Sequence, residues 1–316
     1  MTIRFNIKQS MHFFSRYFLL KSFNQFSKFI SCLLLLNIVF IPNTFAADTT
    51  VKALQMPAWL ERDGKLSPLK PGIMLQSGDK VSTGNNARLL LEMDEGSLVK
   101  LGENAELNFD KLISAEEVQG FFEAALRLVK GAFRFTTTTL GKARKREVSV
   151  RIGSITAGIR GTDIWGSSKL DTDILCLIEG KITAQRAGEP EFEMNDPLSF
   201  YVVPKNKPAF PVSPVPEAKL AKWASETELL NGAGVLSIDG KWAVNLMSVT
   251  IEASVKPIMT ALNAAGFAAE IENAIVNNKT WYRLRVSGFK SRDDASAFAS
   301  MIKGRNGITQ IWVVKL

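Results

Sequence analysis

Short apolar runs alternate with turn signals throughout residues 48–200. Ala87–Met93 and Leu98–Leu101 are such runs, and Leu126–Phe135 alternates between apolar and other side chains. Alternation over short segments is typical of strands, so the pattern predicts an all-β domain over residues 47–203. The turn signals that bound the strands are Asp63-Gly64, Pro71-Gly72, Ser77-Gly78-Asp79, Thr83-Gly84-Asn85-Asn86 and Asp94-Glu95-Gly96-Ser97.

A strand-like run breaks at a sharp bend within Ser154–Gly166, which reads SITAGIRGTDIWG. The bend comprises Arg160, Gly161, Thr162 and Asp163. Charges held at a buried bend need partners. We therefore expect these four residues to be structural and to tie neighbouring strands together. A ligand contact by Arg160 is the alternative.

Two stretches of this domain depart from the strand pattern. Glu116–Phe122 predicts a short helix inserted between strands. Lys142–Arg146 reads KARKR, which is typical of a solvated hairpin loop. Contact with an anionic surface is the alternative for this basic cluster.

Prolines concentrate in residues 204–216, which contain five of them. Such a segment favours extended polyproline II structure and predicts a semi-rigid spacer. Apolar residues then recur at helical spacing and predict a short helix over Glu217–Leu230. We interpret residues 204–238 as a linker with this helix inside it.

Residues 239–316 follow a different pattern, in which strands alternate with helices. Ser254 is the expected N-cap of the first helix, Asn277-Asn278-Lys279 is the expected hairpin loop, and Ser291–Asp294 resembles a capping box. The order βαββαβ predicts a four-stranded antiparallel sheet with two helices on one face, a ferredoxin-like fold. The chain as a whole is then α+β. The predicted strands are Trp242–Val249, Phe267–Val276, Thr280–Phe289 and Ile308–Val314.

The first 46 residues read as a secretory signal peptide, with a basic n-region, an apolar core from Phe29 to Ile41 and predicted cleavage after Ala46. An uncleaved anchor is the alternative, although this core is short for a spanning helix. Cleavage would leave 34 basic and 31 acidic residues, because all five charged residues removed are basic. That balance is too mild to indicate nucleic-acid binding.

The predicted mature chain contains no histidine, since His12 is the only one. Ser-His or Cys-His catalysis and histidine-based metal sites are thereby excluded. Cys176 is the one remaining cysteine, lies in an apolar run and is expected in the core. We predict a protein that is not an enzyme and has no metal and no cofactor. Composition leaves carboxylate or Lys chemistry open, and a glycan hydrolase with paired carboxylates is the catalytic alternative.

Four elements of the β domain resemble, in the same order, those of the FecR domain. They are PGIMLQSGDKVSTGNNARLLLEMDEGSLVKLGENAEL, LVKGAFRF, ITAGIRGTDIWG and LIEGKITA. The similarity covers about residues 52–190, and its most specific part is Gly158–Trp165. The resemblance implies a periplasmic, β-rich module used for protein interaction or signalling.

Residues 239–316 resemble the SPOR (sporulation-related repeat) domain. The similarity rests on WAVNLMSV, LNAAGFAAEIE, NNKTWYRLRVSGF, SRDDASAFASMI and IWVVKL. It implies binding of septal peptidoglycan, in particular of glycan strands that have lost their stem peptides. Ser248 corresponds to the small polar residue that ends the first strand in this family.

Alternation predicts which side chains lie on the open face of this sheet. Leu284 and Val286 suit the helix side, so Trp281, Arg283 and Arg285 point to the open side. On the first strand Val244 and Leu246 suit the core, and the expected outward residues are Ala243, Asn245 and Met247. The pattern leaves the side of Trp312 undecided.

An indole can stack on a sugar ring, and Asn and Arg can bind hydroxyl, acetamido and carboxylate groups. The predicted glycan-binding residues are Asn245, Ser248, Trp281, Arg283 and Arg285. The alternative is an ordinary solvated face in which arginine stems cover Trp281.

These features predict a non-enzymatic periplasmic protein. Its C-terminal domain would bind peptidoglycan, and its β domain would present a second surface to an envelope protein. No nucleic-acid partner is expected, nor a membrane span after signal cleavage. The alternative is an envelope signalling adaptor of the FecR type.

Overall fold

The computed structural model describes residues 49–115, 121–137 and 146–316. These residues all lie in the second of two compact units, Thr44–Leu316. The predicted signal peptide, the basic residues 142–145 and residues 116–120 of the predicted helix lie outside the described residues. No helix in the described ranges is long and apolar enough to cross a membrane.

The first part of the described chain consists of strands only. Its strands are β1 Thr49–Gln55, β2 Ala58–Arg62, β3 Lys65–Pro68, β4 Met74–Leu75, β5 Lys80–Thr83, β6 Arg88–Met93, β7 Leu98–Leu101, β8 Glu106–Ala115, β9 Phe121–Thr136, β10 Arg146–Ile152, β11 Ile155–Ile159, β12 Asp163–Ser168, β13 Thr172–Glu179, β14 Ile182–Arg186, β15 Phe192–Met194 and β16 Ser199–Pro204. The prediction of a helix is therefore wrong at Phe121 and Phe122, which lie in β9. Phe122 is fully buried and pairs with Ser114 of β8, so sheet pairing and core burial outweigh local helix propensity.

These strands form two layers that share the long strand β9. One layer has the order β3-β2-β5-β8-β9-β10-β11-β14-β15. The other has the order β1-β6-β7-β9-β12-β13-β16. Alternate side chains of both layers are buried between them, and Phe109, Phe133 and Phe135 are fully buried there. Pairing is antiparallel except between β9 and β10.

Residues 204–238, expected to be a spacer, are ordered against the sandwich. They contain β17 Ser213–Pro214, α1 Glu217–Thr227 and β18 Val235–Ser237. β17 extends the second layer beside β16, and Trp223 of α1 is buried. The prolines permit an extended segment, but one large aromatic residue binds the following helix to the sheet.

The C-terminal part has the element order βαββαβ. Its elements are β19 Trp242–Val249, α2 Lys256–Ala264, β20 Glu270–Val276, β21 Lys279–Phe289, α3 Arg292–Ile302 and β22 Trp312–Lys315. The sheet order is β22-β19-β21-β20, with every pair antiparallel. Ser291 caps α3 by accepting the N–H of Asp294 at 3.0 Å. The prediction of Ser254 as N-cap is wrong, because a 3₁₀ turn over Glu252–Ser254 places Val255 at that position.

One strand joins the sandwich to the C-terminal sheet. Leu236 of β18 pairs with Leu54 of β1 on one side and with Phe289 of β21 on the other. Asp294 fixes the start of β18, because its Oδ1 accepts the N–H groups of Gly234 and Val235 at 3.2 and 3.0 Å. The two parts of the chain therefore share one continuous hydrogen-bonded sheet.

A second contact lies at the turn after α2. Trp59 of β2 donates its indole N–H to the carbonyl of Ala264 at 3.0 Å. Gly266 has a φ of +79°, and a Cβ on it would lie 2.6 Å from the Trp59 ring. Only glycine allows both this backbone conformation and this close approach.

Candidate functional site

The open face is the side of the C-terminal sheet away from Leu284 and Val286, which are both fully buried. Side chains of directly paired residues lie on the same face of an antiparallel sheet. The open face therefore contains these aligned residues: Trp312, Asn245, Arg285 and Glu270 in one row, Ser248, Arg283 and Glu272 in the next, and Trp281 with Ala274 in a third.

Asn245 occupies the centre of the first row and is only 3% exposed. It lies opposite Arg285 on one side and Trp312 on the other. Its Oδ1 atom has no hydrogen-bond partner, and neither does the buried Nε of Arg283. Buried polar atoms without partners are rare and costly. Both atoms have almost no accessible surface, so a polar group of a ligand would reach them only after the side chains that cover them move.

The prediction that Met247 points outward is wrong. The register of β19 shifts between Asn245 and Met247, so that Met247 pairs with buried Leu284 and packs against the core. This bulge returns Ser248 to the open side, opposite Arg283. Strict alternation from Asn245 would have placed Ser248 on the core side.

Two indoles border the open face. Trp281 is partly buried, and the ammonium group of Lys279 lies 5.9 Å from the centre of its ring. Trp312 is 40% exposed. The sequence pattern did not place Trp312, because β22 is apolar on both faces. Trp312 pairs directly with Asn245, so it lies on the open face.

Carboxylates that the sequence reading missed hold the arginines of the open face. Glu272 lies 2.7 Å from Nη1 of Arg285 and 3.9 Å from Nη1 of Arg283. Glu270 accepts a hydrogen bond from Ser287 at 2.8 Å and lies 3.4 Å from Arg285. Alternation along β20 places both glutamates on one side of the sheet. Had a two-residue hairpin loop been predicted, the register would have paired Glu272 with Arg283 and Glu270 with Arg285.

Glu270 also joins the open face to the sandwich, because Lys70 lies 3.6 Å from its Oε2 atom. Burial acts to raise the pKa of Glu270, but the hydrogen bond from Ser287 and the charges of Lys70 and Arg285 together lower it. A general acid in glycoside hydrolysis needs a raised pKa. The pKa of Glu270 is shifted in the opposite direction.

The lowered pKa of Glu270 predicts a contribution to acid sensitivity. A carboxylate whose pKa is lower in the folded state stabilises the fold above its unfolded pKa, and the contribution is lost as the pH falls through the folded value. We expect wild type to lose stability more steeply than Glu270→Gln below the ordinary pKa of 4.5. Urea unfolding at a series of pH values measures this. Parallel profiles for the two proteins would contradict the assignment, and Glu252→Gln is the control.

The bend in the sandwich is built differently from the expectation of two buried charges. Arg160 and Gly161 are exposed, whereas Thr162 and Asp163 are buried. Arg134 of β9 binds Asp163 through two hydrogen bonds of 2.9 and 2.6 Å. Asp163 ties the bend to β9 through Arg134. Arg160 faces solvent because it lies beyond the end of β11.

Trp165, just after the bend, stacks on Trp223 of α1 with ring centres 4.6 Å apart and planes 8° from parallel. Cys176 is buried in the same cluster. Burial, with the nearby charge of Asp163, raises the pKa of its thiol to about 12. A thiol of that pKa is not a nucleophile at neutral pH. In the described ranges no group of acidic residues and cysteine is placed to hold a metal ion.

The described residues form a sandwich of strands followed by a small four-stranded sheet with two helices. Comparison with family models matches residues 79–183 to the family described as FecR protein, and residues 239–315 to the SPOR domain. The chain thus contains a FecR domain and, C-terminal to it, a SPOR domain.

Among solved structures, the chain is similar to two of a putative anti-sigma factor from Parabacteroides distasonis. The first is 13% identical, with 75% of this chain and 99% of that chain covered and a TM-score of 0.37. The second is 12% identical, with coverage of 75% and 98% and the same TM-score of 0.37. Comparison with curated proteins found no match.

Proposed function

We propose that the open face binds glycan strands of peptidoglycan, in particular strands without stem peptides, and that the protein does so without catalysing a reaction. One observation carries this proposal. Asn245 Oδ1 and Arg283 Nε are buried without partners on the same face of the sheet as two indoles, Trp281 and Trp312. A saccharide combines apolar ring faces with hydroxyl and acetamido groups, and it can satisfy both kinds of surface.

The match to the SPOR domain supports this ligand class, because that family suggests peptidoglycan binding. The order βαββαβ and the strand order β22-β19-β21-β20 support a ferredoxin-like sheet as the platform. We place the protein in the periplasm after cleavage of residues 1–46, with enrichment at the septum. The FecR domain would serve as its interaction module.

The open-face residues should decide retention on peptidoglycan. We expect Trp281→Ala and Trp312→Ala each to weaken binding at least about fivefold, because an aromatic stack contributes about 1 kcal/mol beyond the area that it buries. Arg283→Ala should weaken binding to a similar degree. Co-sedimentation of residues 47–316 with purified peptidoglycan, before and after amidase treatment, measures this.

Ile275→Ala is the matched control for this experiment. Ile275 is 79% exposed and lies on the opposite side of β20 from Ala274 and Trp281. The control should bind like wild type. Failure of wild type to bind either preparation, or equal retention of all folded variants, would refute glycan binding by this face.

An envelope signalling adaptor is the second candidate, and the match of residues 79–183 to the FecR family favours it. In this case the sandwich would bind a protein partner, and the open face would be dispensable. Trp312→Ala would then leave signalling intact. Loss of signalling in a folded Trp312→Ala variant would instead show that glycan binding is part of the signal.

A further inference from the structure

Glu272 lies between the two guanidinium groups of the open face. Its Oε1 atom is 2.7 Å from Arg285 and its Oε2 atom 3.9 Å from Arg283. Both contacts are ion pairs, and the contact with Arg285 is the closer of the two. Two guanidinium groups around one carboxylate form a subsite for an anion, and here a side chain of the protein fills it.

Glu272 is easier to displace than its neighbour Glu270. Glu270 is held by Ser287 at 2.8 Å and by Lys70 at 3.6 Å in addition to Arg285. The two arginines are the partners that the described structure gives Glu272, whose side chain is 35% exposed. A carboxylate from solution can therefore reach both arginines once Glu272 rotates away, while Glu270 stays in place.

We propose that Glu272 is a specificity-determining residue that competes with carboxylates of the ligand for Arg283 and Arg285. The inference rests on the proposed binding of glycan strands. A strand without stem peptides carries a lactyl carboxylate on each muramic acid residue, whereas an amide replaces this charge where a peptide is attached. Glu272 keeps the affinity for the charged strand low, because each lactyl group that binds must first displace it.

The open face thereby recognises a strand through both its neutral groups and its lactyl carboxylates. Trp281, Trp312 and Asn245 contact features that are the same in charged and amidated strands. The arginines add a preference for charged strands, which carry no stem peptides, and Glu272 reduces this preference without abolishing it. The size of the preference between the two forms of strand is therefore adjusted by one side chain.

Glu272→Gln tests this competition without changing the shape of the side chain. We compare residues 47–316 of wild type and variant on soluble amidase-treated strands, and on the same strands with their carboxylates converted to amides. The variant should bind the charged strands roughly tenfold more tightly, since a charge-assisted hydrogen bond becomes available to the ligand. It should bind amidated strands like wild type, and added salt should weaken its binding to the charged strands more steeply.

Glu252→Gln is the matched control, because Glu252 pairs with Lys256 away from the open face. Glu272→Ala is a second variant, expected to change affinity in the same direction. If wild type binds and Glu272→Gln changes neither affinity, or changes both equally, the competition is refuted while glycan binding stands. If neither protein binds either strand, the proposed function fails and the competition fails with it.

Discussion

Replacement of Asp163 by alanine is expected to destabilise the protein by about 3 kcal/mol, because removal of one member of a buried ion pair leaves the other charge without its partner. Asp163 is 8% exposed and holds Arg134 through two hydrogen bonds. Glu228 lies 3.4 Å from another nitrogen of Arg134 and compensates only in part. Denaturation in urea, followed by tryptophan fluorescence, measures the loss as a lower midpoint at constant slope.

Arg160→Ala is the matched control for Asp163→Ala. Arg160 lies three residues away in the same bend but is exposed, so its loss should change the free energy of unfolding by less than about 0.5 kcal/mol. Equal destabilisation by the two substitutions would show that the bend depends on both charges. That outcome would support the expectation from the sequence that both charged residues of the bend are structural.

Trp223→Ala is expected to cost about 3 kcal/mol, a typical loss when a large buried aromatic side chain is truncated. Trp223 is 8% exposed, stacks on Trp165 and meets Phe200 edge-on with ring centres 5.7 Å apart. Its removal should release α1 from the sandwich and uncover Trp165. The expected signs are a lower urea midpoint, loss of the near-ultraviolet circular dichroism of the stacked indoles and faster proteolysis within residues 205–230.

Lys222→Ala serves as the control for Trp223→Ala, because Lys222 is the exposed neighbour in the same helix. Trp223→Phe should fall between the two, since it keeps an aromatic ring but fewer contacts. If Trp223→Ala unfolds at the same urea concentration as the Lys222 variant, α1 does not stabilise the sandwich.

The sequence predicted element types well where one periodicity dominates. Helix α3 begins after Ser291 as expected, because the capping residues are local to the helix that they begin. The partner of Asp163 was not predictable in this way. Arg134 is 29 residues earlier in the chain, and no local pattern relates the two positions before the strands pair.

Loop length explains why the carboxylates of the open face were missed. The expected loop of three residues, 277–279, would have paired Arg283 with Asn273. The structure has two loop residues, Asn277 and Asn278, with φ of 51° and 61°, and Val276 pairs with Lys279. This shift of one residue places Glu272 opposite Arg283. Asparagine tolerates positive φ, so the sequence also allowed the shorter hairpin.

The bulge in β19 had no signal in the sequence either. Leu246 and Met247 are both apolar, and alternation alone assigns them to opposite faces. The structure turns both towards the core and restores Ser248 to the open side. Ser248 was predicted from the resemblance to the SPOR domain and not from alternation. A match to a family motif assigns a residue by its position in the motif, whether or not a bulge precedes it.

Strand β18 gives the protein a mechanical continuity that a flexible tether would not provide. Tension on a glycan strand held by the open face would pass from β21 through Leu236 to β1 of the sandwich. Along this route the load is carried by backbone hydrogen bonds between strands. If the proposed glycan binding holds, the sandwich would therefore turn with the bound strand, and a partner on the sandwich would be held in a fixed orientation relative to that strand.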